Sequence, residues 1–226
     1  MCPKENKLSQ EEINEIKKSE TDELLINCRK PKGELGEQMI KRMNKSHESL
    51  AQWGISHLNI CEDDIILDIG CGGGVNVNRF SSMTNAKVYG LDYSKKSVEE
   101  SIKYNAEAIE KGQVEILEGT VSNIPFEDES IDIVTGFETI YFWPDFKEDL
   151  KEIKRVLKND GAIFICNEEL NDGHIEERLG DRMKLLEMFV PSEDELGQML
   201  ADAGFKDVTT FTKGETHWLC AIGRKE

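Results

Sequence analysis

Residues 66–74 read Ile-Leu-Asp-Ile-Gly-Cys-Gly-Gly-Gly, a short apolar run that closes on glycines at 70, 72, 73 and 74. Glycines at such a place let the backbone turn sharply and let a ligand approach without a Cβ in the way. Asp68 stands two residues before Gly70, near the mouth of that loop. Asp92 closes a second apolar run, Lys87 to Asp92, 20 residues after Gly72. A carboxylate there can accept hydrogen bonds from both hydroxyls of a ribose. Two ligand classes compete for the loop. A dinucleotide fingerprint, G-x-G-x-x-G, needs glycine where this chain has Val75. A carboxylate at position 68 also repels a pyrophosphate, whereas it suits a ligand with an ammonium group and a sulfonium centre. Asp92 does not separate the two classes, because both carry a ribose.

Other residues with chemical capacity lie further along. Phe137-Glu138-Thr139-Ile140-Tyr141-Phe142-Trp143-Pro144 follows an apolar strand and is dense in aromatics. Glu138 and Tyr141 are its candidates for polar contact with a reacting ligand; Phe142 and Trp143 either wall a site or pack under the next helix. Glu168 and Glu169 follow another strand and can reach the same mouth, with a solvated loop the expectation for Glu169. Met39, Met43 and His47 are spaced by four and share a helix face. His47 is the candidate general base of that face. The six cysteines, at 2, 28, 61, 71, 166 and 220, form no C-x-x-C pair, and the four histidines form no ligand cluster in sequence. No metal site is expected.

The elements that position these residues follow from hydrophobic periodicity. Ser9 with Glu12 fits a capping box, Cys28 to Gly36 reads as a loop, and one helix is predicted from about Gly36 to Gly54. Strands are predicted at 65–69, 87–92, 114–117, 131–137 and 162–166. Between them run helices to about Met83, from Ser94 to Lys111, and from Phe146 to Leu157, the last ended by a turn at Lys158 to Gly161. Helices at 175–188 and 192–203 precede two closing strands at 208–212 and 218–222. Strands that alternate with helices predict a parallel sheet covered on both faces. The fold class is α/β: a Rossmann-like, doubly wound, mostly parallel seven-stranded sheet with an antiparallel last strand. Residues 1–58 form an N-terminal helical extension and 59–226 the main domain.

Three segments in this order, Ile-Leu-Asp-Ile-Gly-Cys-Gly-Gly-Gly, Val-Tyr-Gly-Leu-Asp-Tyr-Ser and Ile-Pro-Phe-Glu-Asp-Glu-Ser-Ile-Asp-Ile-Val, resemble the class I S-adenosylmethionine-dependent methyltransferases. The nearest subgroup is the small-molecule, "type 11" methyltransferase domain, and the resemblance covers roughly residues 60 to 170. It implies S-adenosylmethionine as cofactor. Asp68, Gly70 and Gly72, with Cys71 between the glycines, would line the methionine part. Asp92 would hold the ribose, and Tyr93, with Ser94 beside it, would lie by the adenine. Thr120 and Val121 would meet the adenine edge, where the family often has an acidic side chain in place of Thr120. Phe137 would face the methionine side. The helical segment before the glycine strand would fold over the cofactor as a lid, bringing Met43 and His47 to the acceptor pocket. The 170–190 stretch, with His174, Arg178, Arg182 and Met183, would cover the other side.

The activity implied is methyl transfer to a small-molecule acceptor by in-line displacement, driven mainly by positioning. Alignment of nucleophile, methyl and sulfur does most of the work, so the lack of a catalytic triad is no objection. A nicotinamide-dependent oxidoreductase and a non-catalytic cofactor-binding protein are the alternatives. Lys and Arg number 28 against 45 Asp and Glu, a formal charge of −17. That excess opposes nucleic acid and anionic membrane as partners. The stretch after the fourth strand reads Phe-Glu-Thr-Ile-Tyr, not the Asn-Pro-Pro-Tyr of nucleic-acid amino-methyltransferases, and no Pro-Cys pair of the cytosine C5 kind occurs. A charged start and no long apolar run predict a cytoplasmic protein, monomer or homodimer.

Overall fold

The computed structural model describes residues 10–226, so Cys2 and the Ser9 half of the capping box lie outside the described residues. Three helices come first: α1 (Gln10–Arg29), α2 (Gly33–Ser46) and α3 (Glu48–Ile55). The alternating part follows as β1 (Ile66–Ile69), α4 (Val75–Ser81), β2 (Val88–Asp92), α5 (Lys95–Tyr104), α6 (Ala106–Glu110), β3 (Val114–Glu118) and β4 (Ile131–Phe137). Then come α7 (Phe146–Val156), β5 (Leu157–Asn167), α8 (Ile175–Leu186), α9 (Glu193–Asp202), β6 (Lys206–Thr212) and β7 (Leu219–Arg224).

The seven strands form one sheet in the order β3-β2-β1-β4-β5-β7-β6. β1 to β5 pair parallel, and β7 runs antiparallel to both of its neighbours. The expected α/β architecture is therefore present. Every residue of β1 is buried, as a strand covered on both faces requires. Ile66, Leu67 and Ile69 are each worth about 1.5–3 kcal/mol by burial. α7 shows the helical counterpart. Phe146, Leu150, Ile153 and Val156 recur on one face and are all buried, while the Asp145 side chain caps the first turn by accepting from Glu148 N at 3.2 Å. From β1 the chain builds outward through β2 and β3, then returns to place β4 on the other side of β1. The carboxyl ends of β1 and β4 thus flank the point where strand order reverses, which is where open α/β sheets bind ligands.

Several boundaries differ from expectation. The loop predicted over Cys28 to Gly36 is only Lys30 to Lys32. Pro31 and Gly36 serve close packing instead: a Cβ on Gly36 would stand 2.7 Å from the Pro31 carbonyl carbon. The helix predicted from Gly36 to Gly54 breaks at His47, whose backbone sits at φ −89°, ψ 8°. The break lets α3 lie on β5, where a Cβ at Gly54 would meet Cys166 Sγ at 2.6 Å. The helix predicted from Ser94 to Lys111 breaks at Asn105. That side chain is buried and donates to Gly74 O (3.0 Å) and Ser101 O (2.9 Å), tying the helix to the glycine loop. The turn placed at Lys158 to Gly161 is instead the start of β5. Pairing continues there, because Asp160 N donates to Lys225 O and Lys225 N to Gly161 O. Among the described residues no helix is long and apolar enough to cross a membrane.

Candidate functional site

A cavity of about 260 Å³ lies over the carboxyl ends of β1, β2 and β4. Its floor is the glycine loop; the segment Cys28, Arg29 and Pro31 and the α2 residues Met43 and Asn44, with His47 after them, close it from above. The loop is fixed by backbone bonds. Gly70 N and Cys71 N both donate to Leu91 O, at 2.7 and 3.1 Å. Gly70, Gly72 and Gly74 take φ of 68°, 53° and 76°, a region that disfavours any side chain. A Cβ at Gly72 would meet nothing within 4 Å, so this backbone presents an open face to a ligand. Gly73 is different: a Cβ there would lie 2.6 Å from Ile40 Cγ2 and against the Asn44 amide, so α2 rests directly on the loop.

Two buried carboxylates border the floor. Asp92 Oδ2 accepts from Gly72 N at 2.9 Å and Oδ1 from Ser94 N at 2.8 Å. Burial raises its pKa, and those two N–H groups oppose the rise. Each oxygen keeps a lone pair for a ribose hydroxyl. Asp68 is 2 % exposed, and its Oδ1 accepts from Thr135 Oγ1 at 2.7 Å. Burial pushes it up to about 7, the Thr135 bond pulls down and the Asp92 charge adds to the rise. Thr135 was not foreseen. It is a polar residue in the buried half of β4, at the register position opposite Asp68.

Among the other predicted cofactor residues, Cys71, Tyr93, Thr120, Val121 and Phe137 all line the cavity. The Tyr93 hydroxyl donates to Arg29 O, and Lys30 Nζ lies 4.9 Å from the centre of its ring. Ser94 is not among the lining residues. It is 1 % exposed and fully engaged: Oγ accepts from Ser97 N as the α5 cap and donates to Pro31 O at 2.8 Å. Its place is as a tether between α5 and the overlying segment, a correction to the expected ligand contact.

Opposite the glycine loop, three side chains from separate elements converge. His47 Nε2 is 3.6 Å from Glu168 Oε2 and 4.0 Å from Glu138 Oε2, and one donor atom from each lies within 4.8 Å of the others. Histidine spacing alone did not reveal this cluster, because its other members are carboxylates following β4 and β5. Glu138 sits at φ 58°. Its Oε1 accepts from Glu168 N and, at 3.3 Å, from the Tyr141 hydroxyl. Burial is the main cause that pushes Glu138 up to about 8, and the Glu168 charge adds to it. Burial, then the Arg182 charge, hold His47 down at about 4. Tyr141 is 3 % exposed and is not a cavity-lining residue. Its oxygen accepts from Glu169 N at 3.0 Å, so it braces Glu138 from behind. Phe142 and Trp143 line the cavity, and Trp143 also stacks on Phe146, so it both walls and packs. Glu169 is paired with Arg178 at 3.4 Å rather than left free in a loop.

An open glycine backbone, a ribose-spaced carboxylate and a buried second carboxylate fit a cofactor with an adenosine and an ammonium-bearing tail. The family model described as "Methyltransferase domain" matches residues 67–165. By sequence this part of the chain is similar to methyltransferase domains. The uncharacterized methyltransferase YcgJ of Bacillus subtilis is 34% identical over 104 residues, 45% of this chain and 40% of that one. The O-methyltransferase resE of Aspergillus sclerotiorum is 29% identical over 150 residues, 65% of this chain and 56% of that one. The chain thus spans about half the length of these curated relatives. In fold, a SAM-dependent methyltransferase from Aquifex aeolicus superposes with TM-score 0.66 at 22% identity, over 84% of this chain and 98% of that one.

Proposed function

We propose that this chain transfers a methyl group from S-adenosylmethionine to a small-molecule acceptor held between the glycine loop and the His47–Glu138 wall. When bound, the cofactor supplies a methyl group already activated by its sulfonium centre. The carrying observation is the floor itself: Gly72 open to the cavity, its N–H held by Asp92, and Asp68 buried alongside. Asp92 holds the ribose, with Tyr93, Thr120 and Val121 along the adenine. Asp68, Gly70, Gly72 and Phe137 surround the methionine part. Of the extension at residues 1–58, the described helices α1 to α3 act as the lid over the domain of residues 59–226. Tethers from Ser94 to Pro31 and from Tyr93 to Arg29 support that role.

The acceptor's polar end meets His47 and Glu138, and Tyr141 positions the Glu138 carboxyl. Closure by α2 excludes water and holds the acceptor in line, which is the main source of rate in such a displacement. The Aspergillus sclerotiorum relative is named an O-methyltransferase, which supports the reaction class. Val75 in the loop and the buried Asp68 disfavour the nicotinamide alternative. The test is transfer of radiolabel from methyl-tritiated S-adenosylmethionine across a panel of small amines, phenols, thiols and acids. Acceptor-dependent labelling is expected. Cofactor that binds and is never consumed across the panel would make the protein a non-catalytic binder.

A further inference from the structure

The His47–Glu138–Glu168 triangle can offer three hydrogen-bond acceptors at one side of the cavity when Glu138 is ionised. Both carboxylates are acceptors, and in its Nδ1–H tautomer the imidazole presents a bare Nε2. The three elements that carry them, the α2–α3 joint and the segments after β4 and β5, are fixed independently. Glu138 is locked through its other oxygen by Glu168 N and Tyr141. His47 and Glu138 line the cavity, and Glu168, with a side chain 43% exposed, stands at its rim. Phe142 and Trp143 add aromatic surface to the same cavity.

Two kinds of cation can be compared with this spacing. A metal at about 2.1 Å from each ligand draws its donor atoms to about 3.0–3.4 Å of one another. An ammonium whose three N–H groups each donate over about 2.8 Å needs acceptors about 4.6 Å apart. The separations here are 3.6 and 4.0 Å, with all three atoms inside 4.8 Å. These separations fall between the two spans, and the aromatic surface of Phe142 and Trp143 in the same cavity suits an alkyl chain rather than a bare ion.

We propose that this triangle is the docking site for a primary ammonium group, so that the methyl acceptor is a small amine. The amine's three N–H bonds point to His47 Nε2, Glu138 Oε2 and Glu168 Oε2, and its carbon chain runs along Phe142 and Trp143. The bound ammonium favours the ionised Glu138 carboxylate, whose own proton is lost to solvent; passage of one ammonium proton to Glu138 Oε2 then leaves the nitrogen lone pair free as a nucleophile. Burial supports both tasks: it keeps His47 neutral, hence an acceptor, and it gives the Glu138 carboxyl, at about 8, a proton affinity suited to that transfer. Arg182 supplies a positive charge nearby that lowers both groups. With Glu138 ionised in the complex, two carboxylates face this guanidinium and one ammonium, and these charges balance.

This assignment rests on the methyl-transfer reading, and its test reads binding. The full chain saturated with S-adenosylhomocysteine is titrated with ethylamine, 2-phenylethylamine and 1,5-diaminopentane, and with the alcohols of matching shape. The His47 ring resonance, assigned with His47→Gln, is followed by NMR. At least one amine is expected to shift that resonance saturably, with its alcohol binding at least about tenfold more weakly. Glu168→Gln, a change at a half-exposed side chain, is expected to weaken the amine by about tenfold or more and leave S-adenosylhomocysteine affinity unaltered. The proposal is overturned if no amine moves His47, if the alcohols bind equally well, or if Glu168→Gln binds the amine like wild type. Zn²⁺ or Mn²⁺ that shifts His47 and excludes the amine overturns it in favour of a metal centre. Failure to bind S-adenosylhomocysteine in the first step tells separately against the methyl-transfer reading.

Discussion

Asp68 offers a quantitative test of the buried floor. Its carboxyl stands at about 7 in the folded chain against an ordinary 3.8, raised chiefly by burial and further by the Asp92 charge. A raised folded pKa means that the native state holds a proton the unfolded state has lost. Stability is then fully present below about pH 4 and falls as pH climbs to about 7. A shift of about three units corresponds to on the order of 4 kcal/mol at 1.36 kcal/mol per unit. Asp68→Asn keeps an acceptor for Thr135 and cannot titrate. Urea unfolding of cofactor-free wild type and Asp68→Asn at about pH 5.5 and about pH 8 isolates the effect, because Glu138 and other carboxyls titrate in both. The variant is expected to gain on wild type by about 2 kcal/mol across that interval, since about half of the window lies below it. In thermal melts this is roughly 4–8 °C. The cofactor's ammonium favours the charged carboxylate, so wild-type affinity for it should rise as pH approaches 7, and the variant should bind weakly and without that rise. A gap between the two proteins that stays constant with pH would refute the buried, protonated Asp68.

Three further outcomes follow from the packing. Gly73→Ala drives a methyl into Ile40 and Asn44; about 1–3 kcal/mol of stability should be lost by thermal melt, with partial recovery in the double variant with Asn44→Ala. Ser94→Ala removes both the α5 cap and the Pro31 tether, and should cost about 1–2 kcal/mol in urea while raising proteolytic cleavage around Lys30 to Lys32. Ile153→Ala empties a wholly buried position on α7 and should cost about 2–5 kcal/mol, with cofactor affinity per folded molecule unchanged by calorimetry.

Much of this was legible in the residues. The buried strands announced themselves as β-branched runs, and the glycines after β1 located the binding end of the sheet before any ligand was considered. Asp92 was readable because it ends an apolar strand, a place where a carboxylate has no packing role. What escaped was contact across distant elements. Asn105 looks like any mid-helix residue, yet its amide is claimed by Gly74 O, and the helix breaks to let it reach. Ser94 reads as a cap, and its second bond to Pro31 depends on how α1 and α2 are laid over the loop. The triangle of His47, Glu138 and Glu168 needs three chain segments to meet, and no spacing in sequence encodes that meeting.

The central claim is an S-adenosylmethionine site built on Asp92 and the glycine loop. Isothermal titration with S-adenosylmethionine and, separately, NADH, on wild type and on an Asp92→Ala variant shown to be folded by its thermal melt, tests it directly. The account predicts micromolar binding of S-adenosylmethionine, weakened roughly hundredfold by loss of the ribose contacts, and no heat with NADH. Binding of NADH in place of S-adenosylmethionine, or S-adenosylmethionine affinity untouched by the substitution, would contradict it.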